Sequence, residues 1–549
     1  MKINIKILAL AAVCSFTAVS CSDFLDEAPY GQFTGDKIDD SSIDALMAAA
    51  YAGLEGHFFG NNESFYAPVS NWVFDVRSDD AYKGGGGVTM EAGIHQLEIS
   101  NLTSDNATCL NSWRNNYYAI SRVHKAMNAV NEATNLENRD ELLAELRLLR
   151  GHFYFNLIRI FERIPYLTET SDPTTTRADE FTREEIYGFI KDDFTYAWEN
   201  LPDSQEQPGR FNKYVAAAYL AKLALETKDY DAVLTYCEEV IGSGKYSLYN
   251  NFLDMSKIEF ENQYESIMAV QFSTANNNSH INYGDLLNTT YSEGNLFGTG
   301  DDFFLGSQNL VNAFRTDENG LPYLDTFNDV DVNALYGGNV DPRLDFTVGR
   351  IGMPFRGHTY TDAWCRAYDV YGEYSGKKRL IDPSSPDMVQ GFPWGASGLN
   401  LILIRYADLL LWKAEALIES STHQNLDEAR NIINDIRAKA KRSIDPAYTP
   451  QELDPNMANY KVEPYPATGW NQEYARKALR MERRLELAME GHRWFDLVRW
   501  GVVVDVVNTY MREEEELRPY YVGASISENE IYLPTPIDEA ENSGGLYDF

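Results

Sequence analysis

Two stretches of this chain, residues 212–241 and 405–440, share one helical pattern that constrains the fold more than any other feature. Each begins with an Ala-rich segment, continues through a polar turn and enters a second segment at "DYDAV" or "NLDEAR". Apolar residues spaced every three or four positions line one face of a helix. Two such helices joined by a short turn are typical of tetratricopeptide units, so the pattern predicts paired helices.

A third periodic segment begins at Asn138. Its apolar residues recur every three or four positions, at Leu142, Leu146, Leu149, Phe153, Leu157 and Ile160. Pro165 follows the last turn, as is usual where a helix ends. Because the tetratricopeptide consensus positions are only loosely filled, we predict a mainly α fold, with four degenerate tetratricopeptide-like helix pairs that support a loop-rich face.

Residues 250–400 have a different character. Gly, Asn, Asp and aromatic residues dominate, and no long helical period continues through them. We predict loops and short strands lying over the helices, and long loops on a rigid scaffold are where binding sites commonly lie. The alternative is a separate all-β module.

These changes of pattern divide the chain into regions. We predict a helical region at 41–249 with an inserted loop near 71–100, a loop-rich ligand-binding region at 250–400, a second helical region at 401–510, and a tail at 511–549 that closes the fold. Four successive glycines, Gly84–Gly87, argue against regular structure within the inserted loop.

The N-terminus predicts an exported protein. Lys2 and Lys6 precede an apolar run that is too short to span a bilayer and ends in small residues before Cys21. We predict a lipoprotein signal peptide at 1–20, lipidation at Cys21 and a tether at 21–40. Ala18 stands where such signals usually have Leu, so cleavage by an ordinary signal peptidase is the alternative. Cys109, Cys237 and Cys365 are too scattered for a disulfide framework.

Charge and motifs exclude several classes of function. The chain has 47 basic and 83 acidic residues, a net charge of −36, which argues against nucleic acid as a partner. Phosphate-binding and dinucleotide-binding loops, a calcium loop, paired histidines and a Gly-x-Ser-x-Gly elbow are all incomplete or missing. We therefore predict no enzymatic activity, no cofactor and no metal. A glycosidase-type pair of carboxylates stays open among so many acidic residues.

Residues 481–500, "MERRLELAMEGHRWFDLVRW", are unusually rich in charge for an apolar-periodic segment. If they form one helix, its apolar residues cover two sides and the helix is buried. The charges then have partners inside the fold, for which the spacing suggests Arg493 with Asp496 and Glu490 with Arg493. This favours a structural role over an active site.

Six segments together resemble the SusD/RagB family of Bacteroidota outer-membrane lipoproteins. They occur in the family's order and span nearly the whole chain after the signal. They are "CSDFLDEAP" from Cys21, "AELRLLRGHFYFNLIRIFERIPYL" from Ala144, "DPRLDFTVGRIGMPF" from Asp341, "RYADLLLWKAEALIE" from Arg405, "ERRLELAMEGHRWFDLVRW" from Glu482 and "IYLPTPIDE" from Ile531.

The resemblance implies a function and a location. It implies a lipid-anchored protein on the extracellular face of the outer membrane that captures a glycan and acts as the lid of a SusC-like TonB-dependent transporter. It also implies that the helix beginning at Glu482 is structural. A peptide-binding lid of the same type and a surface glycoside hydrolase are the alternatives.

The resemblance places binding residues in loops without identifying them one by one. Aromatic faces stack on sugar rings, and Asp or Arg side chains bind hydroxyl groups. The candidates are Trp72, Asp79, Asp80, Tyr82, Tyr283, Tyr291, Trp364, Arg366, Tyr368 and Trp394. Trp364, Trp394 and Trp72 lead because they lie outside helical patterns. For each aromatic the alternative is packing beneath a loop, most of all for Phe297. The helical patterns assign Trp113, Trp198, Trp412, Trp494 and Trp500 to the core.

Overall fold

The computed structural model describes residues 40–56, 72–275, 280–291, 297, 300–389, 395–447 and 451–548. Its helices are α1 (Asp40–Tyr51), α2 (Trp72–Asp75), α3 (Ala92–Glu98), α4 (Ala107–Glu132), α5 (Arg139–Ile160), α6 (Arg183–Asn200), α7 (Lys213–Glu226), α8 (Tyr230–Gly242), α9 (Gln308–Ala313), α10 (Arg343–Thr347), α11 (Tyr368–Tyr371), α12 (Tyr406–Glu419), α13 (Leu426–Arg442), α14 (Gln472–Leu487), α15 (Arg493–Trp500), α16 (Val503–Glu514) and α17 (Ile537–Asn542).

The long helices form the scaffold by packing in succession. Helix α1 packs on α4, and contacts then run from α4 through α5, α6 and α7 to α8. Helix α8 packs on α12, which contacts both α13 and α14. This arrangement confirms the predicted mainly α fold.

Polar residues in the turns explain where the paired helices begin. The Asn212 side chain accepts hydrogen bonds from two backbone N–H groups of α7, and Asp229 accepts one from Ala232 in α8. Asn425 does the same for Glu428 in α13. Each side chain satisfies donors that a helix leaves unpaired at its N-terminus. The turns "DYDAV" and "NLDEAR" therefore act as helix start signals.

The strands are short. They are β1 (Ala81–Gly84), β2 (Ser266–Val270), β3 (Phe303–Gly306), β4 (Arg315–Thr316), β5 (Asn339–Val340), β6 (Pro354–Phe355), β7 (His358–Thr359), β8 (Leu401–Arg405) and β9 (Asn459–Tyr460). Antiparallel pairs join β1 to β3, β2 to β8, β4 to β5 and β6 to β7, while β5 and β9 run parallel.

Several of these pairs tie the loop-rich region to the rest of the chain. Strands β2, β3 and β5 lie between residues 250 and 400, and each pairs with a strand outside that stretch. The main hydrophobic core likewise contains residues from Ile43 to Leu533. The strands of this stretch therefore do not form a separate all-β module. Strand β1 also corrects the expectation for the glycines, because Gly84 pairs with Phe303.

The segment 481–500 is two helices rather than one. Helix α14 ends at Leu487, and α15 begins at Arg493. Met489 and Gly491 lie between them with positive φ angles of 61° and 82°, which interrupt the helix. Most of its apolar side chains are buried, including Leu485 and Trp494. The segment is therefore structural, as predicted.

The predicted charge partners within that segment are wrong. Glu490 pairs with Arg405 and Lys378, and Arg493 pairs with Asp79. The break between α14 and α15 removes the helical spacing on which the expected Glu490–Arg493 pair depended. Partners distant in sequence engage Glu490 and Arg493 instead, while Asp496 pairs with Arg483 and Arg499 inside the segment.

The predicted core tryptophans occupy the scaffold. Trp113, Trp412 and Trp494 are buried, and Trp198 and Trp500 pack against the core while partly exposed. In the described part of the chain, no helix is long and apolar enough to cross a membrane.

Candidate functional site

Trp72 does not lie on a surface. Its side chain is 0% exposed, its indole N–H donates to the Gly284 carbonyl at 3.1 Å, and its ring packs against Phe303 and Phe304. The prediction that Trp72 binds ligand is corrected on this evidence. The ring packs in the core beneath the loops. Packing beneath a loop was the alternative to ligand binding for every aromatic candidate.

Asp79 and Asp80 are buried as partners of the arginines in α14 and α15. Arg493 donates to both carboxylate oxygens of Asp79, at 2.7 and 2.8 Å. Arg484 donates to Asp80 at 2.6 Å. Burial opposes ionisation, but Arg484 and Arg493 lower the pKa of Asp79 below its usual range. These carboxylates hold the fold together, so their predicted role in ligand binding is corrected.

Tyr82 is also an interior residue. Its hydroxyl donates to Glu514 at 2.6 Å and accepts from the backbone N–H of Gln308 at 3.0 Å. Both bonds are buried, which leaves the ring inaccessible to a ligand. The prediction for Tyr82 is corrected for the same reason as that for Trp72.

Two of the other candidates, Tyr291 and Arg366, meet at the surface. With Asp301, and with Trp364 and Tyr368 on either side of Arg366 in sequence, they define what we call the arginine–aromatic surface. The Arg366 guanidinium lies 5.4 Å from the centre of the Tyr291 ring and forms an ion pair with Asp301. Both charged side chains stay partly exposed, at 28% and 36%. A cation held over an aromatic ring beside a carboxylate offers donors, acceptors and a flat face together.

Trp364 lies at the edge of a small aromatic core. Its ring contacts Phe355 and Tyr360 edge-on, with centroids 5.5 Å away in each case, and Phe297 at 6.4 Å. Trp364 remains partly exposed, whereas Phe297 is buried beneath it. The aromatic core fixes the orientation of the Trp364 ring, and Phe297 serves packing.

A buried hydrogen-bond chain positions the Arg366 segment. Asp302 accepts from the backbone N–H of Arg366 at 2.9 Å and from the Ser375 hydroxyl at 2.5 Å. Ser375 in turn contacts the Tyr360 hydroxyl at 2.5 Å. Burial raises the pKa of Asp302 to about 6, against the effect of these hydrogen bonds. These hydrogen bonds connect the backbone of Arg366, two residues after Trp364, to the buried Tyr360.

Tyr368, on the arginine–aromatic surface, is 46% exposed at the start of α11. The remaining candidates differ in position. Tyr283 is partly buried and packs against a small cluster that contains Ile281 and Leu286. Trp394 and Cys21 lie outside the described residues. Their predicted roles stay predictions.

Sequence reasoning missed a second feature, which we call the polar groove. It has a volume of about 470 Å³, and its walls include Tyr51, Glu55, Gln207, Arg210, Gln271 and His280. His280 contacts Glu55 at 3.3 Å, and Arg210 pairs with Glu145 at 2.6 Å. Burial raises the pKa of Glu55, while His280 acts in the opposite direction. These residues are far apart in sequence and follow no motif, so no local signal identified them.

One chain segment reaches both features. His280 lies in the polar groove, and Tyr291 lies under Arg366 on the arginine–aromatic surface. We call the two features together the binding face. Among the described residues, no group of His, Cys, Asp or Glu is arranged to hold a metal ion.

The fold and this face define a helical scaffold protein whose candidate binding groups are carried by loops. The SusD family model matches residues 264–548, and a model described as "Starch-binding associating with outer membrane" matches residues 23–225. The chain therefore belongs to the SusD family, and the second match supports association with the outer membrane.

Similar proteins cover nearly the whole chain. A SusD-like protein of Formosa agariphila is 24% identical over 558 residues, which cover 97% of each chain. A SusD-like protein of Bacteroides ovatus is 22% identical over 519 residues, which cover 90% of this chain and 82% of that protein.

Solved structures show the same fold. A laminarin-binding SusD-like protein superposes with a TM-score of 0.66 at 21% identity and covers 92% of this chain and 97% of its own. Surface glycan-binding protein A from Bacteroides thetaiotaomicron, in complex with laminarihexaose, gives 0.67 at 20% identity, with coverage of 92% and 98%.

Proposed function

We propose that this protein is a cell-surface, lipid-anchored glycan-binding protein that acts as the lid of a SusC-like TonB-dependent transporter. The observation that carries the proposal is the arginine–aromatic surface. On a SusD-family scaffold it combines the partly exposed Trp364 with the ion pair of Arg366 and Asp301. Two solved proteins with this fold are described as binding laminarin or laminarihexaose.

The chemistry of the binding face suits a sugar chain. A pyranose ring presents C–H groups to a flat aromatic face and hydroxyl groups to its edge. Trp364 and Tyr291 supply ring faces, while Arg366 and Asp301 supply a charged donor and acceptor. The polar groove adds the amide of Gln207. A glycan in contact with either feature has partners for its hydroxyl groups.

A glycan array combined with a pull-down from a peptide pool tests the proposal. We expect binding to at least one polysaccharide and no enrichment of peptides. Peptide capture without glycan binding contradicts the proposal and favours the peptide-binding lid. New reducing ends, produced from a bound polysaccharide and lost on mutation of one carboxylate, favour a surface glycoside hydrolase.

Substitution Trp364→Ala is expected to weaken glycan binding while leaving the protein folded. Loss of a central stacking side chain costs about 2 kcal/mol or more, which corresponds to about thirtyfold in Kd. Isothermal titration with the glycan found on the array measures the change. The matched control is Trp470→Ala, because Trp470 is also partly buried and also packs among rings, those of Tyr465 and Tyr474.

The control separates binding from stability. Both variants lose aromatic packing, so both are expected to melt somewhat below wild type, but only Trp364→Ala is expected to lose affinity. Equal affinities for Trp364→Ala, Trp470→Ala and wild type place the binding site away from Trp364.

Substitution Cys21→Ala is expected to release the protein from the outer membrane. The proposed anchor is the lipid on this one residue, and acyl chains provide its membrane affinity. Membrane fractionation and surface immunolabelling measure the outcome, with Cys14→Ala inside the signal segment as the control that keeps normal localisation. Retention of Cys21→Ala in the outer-membrane fraction of cells that lack the transporter contradicts lipid anchoring.

A further inference from the structure

The fold accounts for three of the four glycines at positions 84–87. Gly84, Gly85 and Gly87 have φ angles of 78°, 74° and 115°, in a region that residues with side chains rarely adopt. A Cβ atom would also lie 2.4 Å from the Asp302 carbonyl oxygen at Gly84 and 2.5 Å from the Phe303 ring at Gly85. Backbone conformation and packing therefore explain why these three residues are glycine.

Gly86 is different, because neither its backbone nor the core requires a glycine there. Its φ lies outside the left-handed region, and the residue is exposed. A Cβ atom at Gly86 would lie 3.3 Å from Nε of Arg366 and 3.4 Å from the sulfur of Met90, both of which belong to flexible side chains. The Gly86 N–H donates to the same sulfur at 3.3 Å, and a thioether is a weak acceptor.

The missing side chain at Gly86 leaves one side of the arginine–aromatic surface open. The Arg366 guanidinium lies over the Tyr291 ring, pairs with Asp301 and is 28% exposed. Gly86 borders this guanidinium at its Nε atom. A longer side chain at position 86 would lie against Arg366 and occupy the space beside the guanidinium. The glycine therefore keeps that space available to a ligand.

The glycine loop, as we call residues 84–87, is held in place by buried partners. The Gly85 N–H donates to the Asp302 carbonyl at 2.7 Å, and the Lys83 ammonium donates to the Gly87 carbonyl at 2.9 Å. The carboxylate of Asp302 also accepts from the backbone N–H of Arg366 at 2.9 Å. One residue thus fixes both the loop and Arg366, so the space between them is formed before a ligand arrives.

We infer that Gly86 contacts the ligand and determines specificity, with the backbone of the glycine loop as one wall of the arginine–aromatic surface. This inference rests on the proposed glycan-binding function and adds a contact position to its site. A sugar ring lies against the bare backbone at Gly86 while its hydroxyl groups accept hydrogen bonds from Arg366. Because a glycine lets a ligand approach the backbone closely, the wall admits a ring that a larger side chain excludes.

Side chains of increasing size at position 86 test the inference. Wild type, Gly86→Ala and Gly86→Leu are compared on laminarin, amylopectin, xylan and galactomannan by affinity electrophoresis, and each polysaccharide that binds is then titrated calorimetrically. We expect the affinity to fall in that order, to about tenfold or more below wild type for Gly86→Leu. The melting temperature is expected to stay unchanged, because only flexible side chains border the added atoms.

The matched controls are Gly337→Ala and Gly337→Leu. Gly337 is also an exposed loop glycine whose φ lies outside the left-handed region, and a Cβ atom there meets no atom within 4 Å. It is not among the residues that define the binding face. Both control variants are therefore expected to bind like wild type.

A second comparison connects the effect to Arg366. Substitution Arg366→Met is expected to weaken binding by itself. Adding Gly86→Leu to Arg366→Met is expected to weaken binding further by a smaller factor than in wild type, because the guanidinium that leucine covers is already absent. A general distortion of the loop by leucine would give the same factor in both backgrounds.

The outcomes separate this inference from the function on which it rests. Wild-type affinity in Gly86→Leu overturns the inference and leaves glycan binding intact. A melting temperature of Gly86→Ala well below that of wild type also overturns it, because the fold then requires the glycine. An equal loss from Gly86→Leu in both backgrounds contradicts the contact beside Arg366. If the folded wild type binds none of the polysaccharides, the proposed function fails and this inference fails with it.

Discussion

Substitution Arg405→Met is expected to destabilise the protein by about 3–5 kcal/mol, because it removes a buried cation that three buried carboxylates share. Arg405 lies at the end of β8, and its guanidinium pairs with three carboxylates: Glu265 at 2.7 Å, Glu486 at 3.0 Å and Glu490 at 2.8 Å. All four side chains are nearly or fully inaccessible to solvent. Methionine keeps most of the volume, so the loss reports on charge rather than on a cavity.

The same buried network accounts for the size of the effect. Burial opposes ionisation of Glu486, yet Lys439, Arg405 and Arg343 lower its pKa to about 2. Its charge therefore depends on cations that the fold supplies. Removing one of them forces the remaining cations to compensate several carboxylates at once.

Denaturant unfolding measures the Arg405→Met effect. The control is Arg177→Met, which breaks the exposed pair with Asp179 and is expected to unfold at nearly the same denaturant concentration as wild type. If Arg405→Met unfolds at the same denaturant concentration as wild type, the buried network does not determine stability in the way proposed.

Substitution Trp494→Ala is expected to cost about 3–5 kcal/mol, a large part of the usual 5–15 kcal/mol margin of a folded protein. Trp494 is 2% exposed in α15, and the Arg77 guanidinium lies 3.8 Å from the centre of its ring. Arg77 also donates to the carbonyls of Glu530 and Ile531, at 2.6 and 3.2 Å. Loss of the ring thus removes core packing. It also removes the ring on which Arg77 packs while Arg77 holds the C-terminal tail.

Thermal unfolding, with Trp500→Ala as the comparison, measures the effect. Trp500 lies in the same helix but is only partly buried, so its truncation is expected to lower the melting temperature less. An unchanged melting temperature for Trp494→Ala together with lost glycan affinity contradicts the structural role and makes the segment 481–500 part of a site.

The scaffold was accessible to sequence reasoning because its determinants are local. The apolar period of α5, the caps at Asn212 and Asn425, and the Ala-rich faces of α7 and α12 all lie within one or two helical turns of the structure they specify. The burial of Trp113, Trp412 and Trp494 followed from the same periodicity. The spacing of apolar residues along the sequence shows which side of a helix faces inward. The mainly α fold was predictable for this reason.

Charge partners and accessible aromatics depended on the tertiary structure. Arg493 pairs with Asp79 although 414 residues separate them, and Tyr82 bonds to Glu514 over 432 residues. A loop containing Trp, Asp and Tyr has the same composition whether it faces solvent or completes a buried network. Composition therefore placed Trp72, Asp79, Asp80 and Tyr82 on a surface that they do not occupy.

The sequence by itself determined the helical pairs, the structural nature of residues 481–500, and the resemblance to the SusD/RagB family. The tertiary structure alone decided which loop residues are exposed, brought Arg366 over Tyr291 beside Asp301, and formed the polar groove from Tyr51, Arg210 and His280. The physical reason is the range of the interactions. Helix periodicity and capping act between near neighbours in sequence, whereas a binding face forms from side chains that meet only after distant segments pack together.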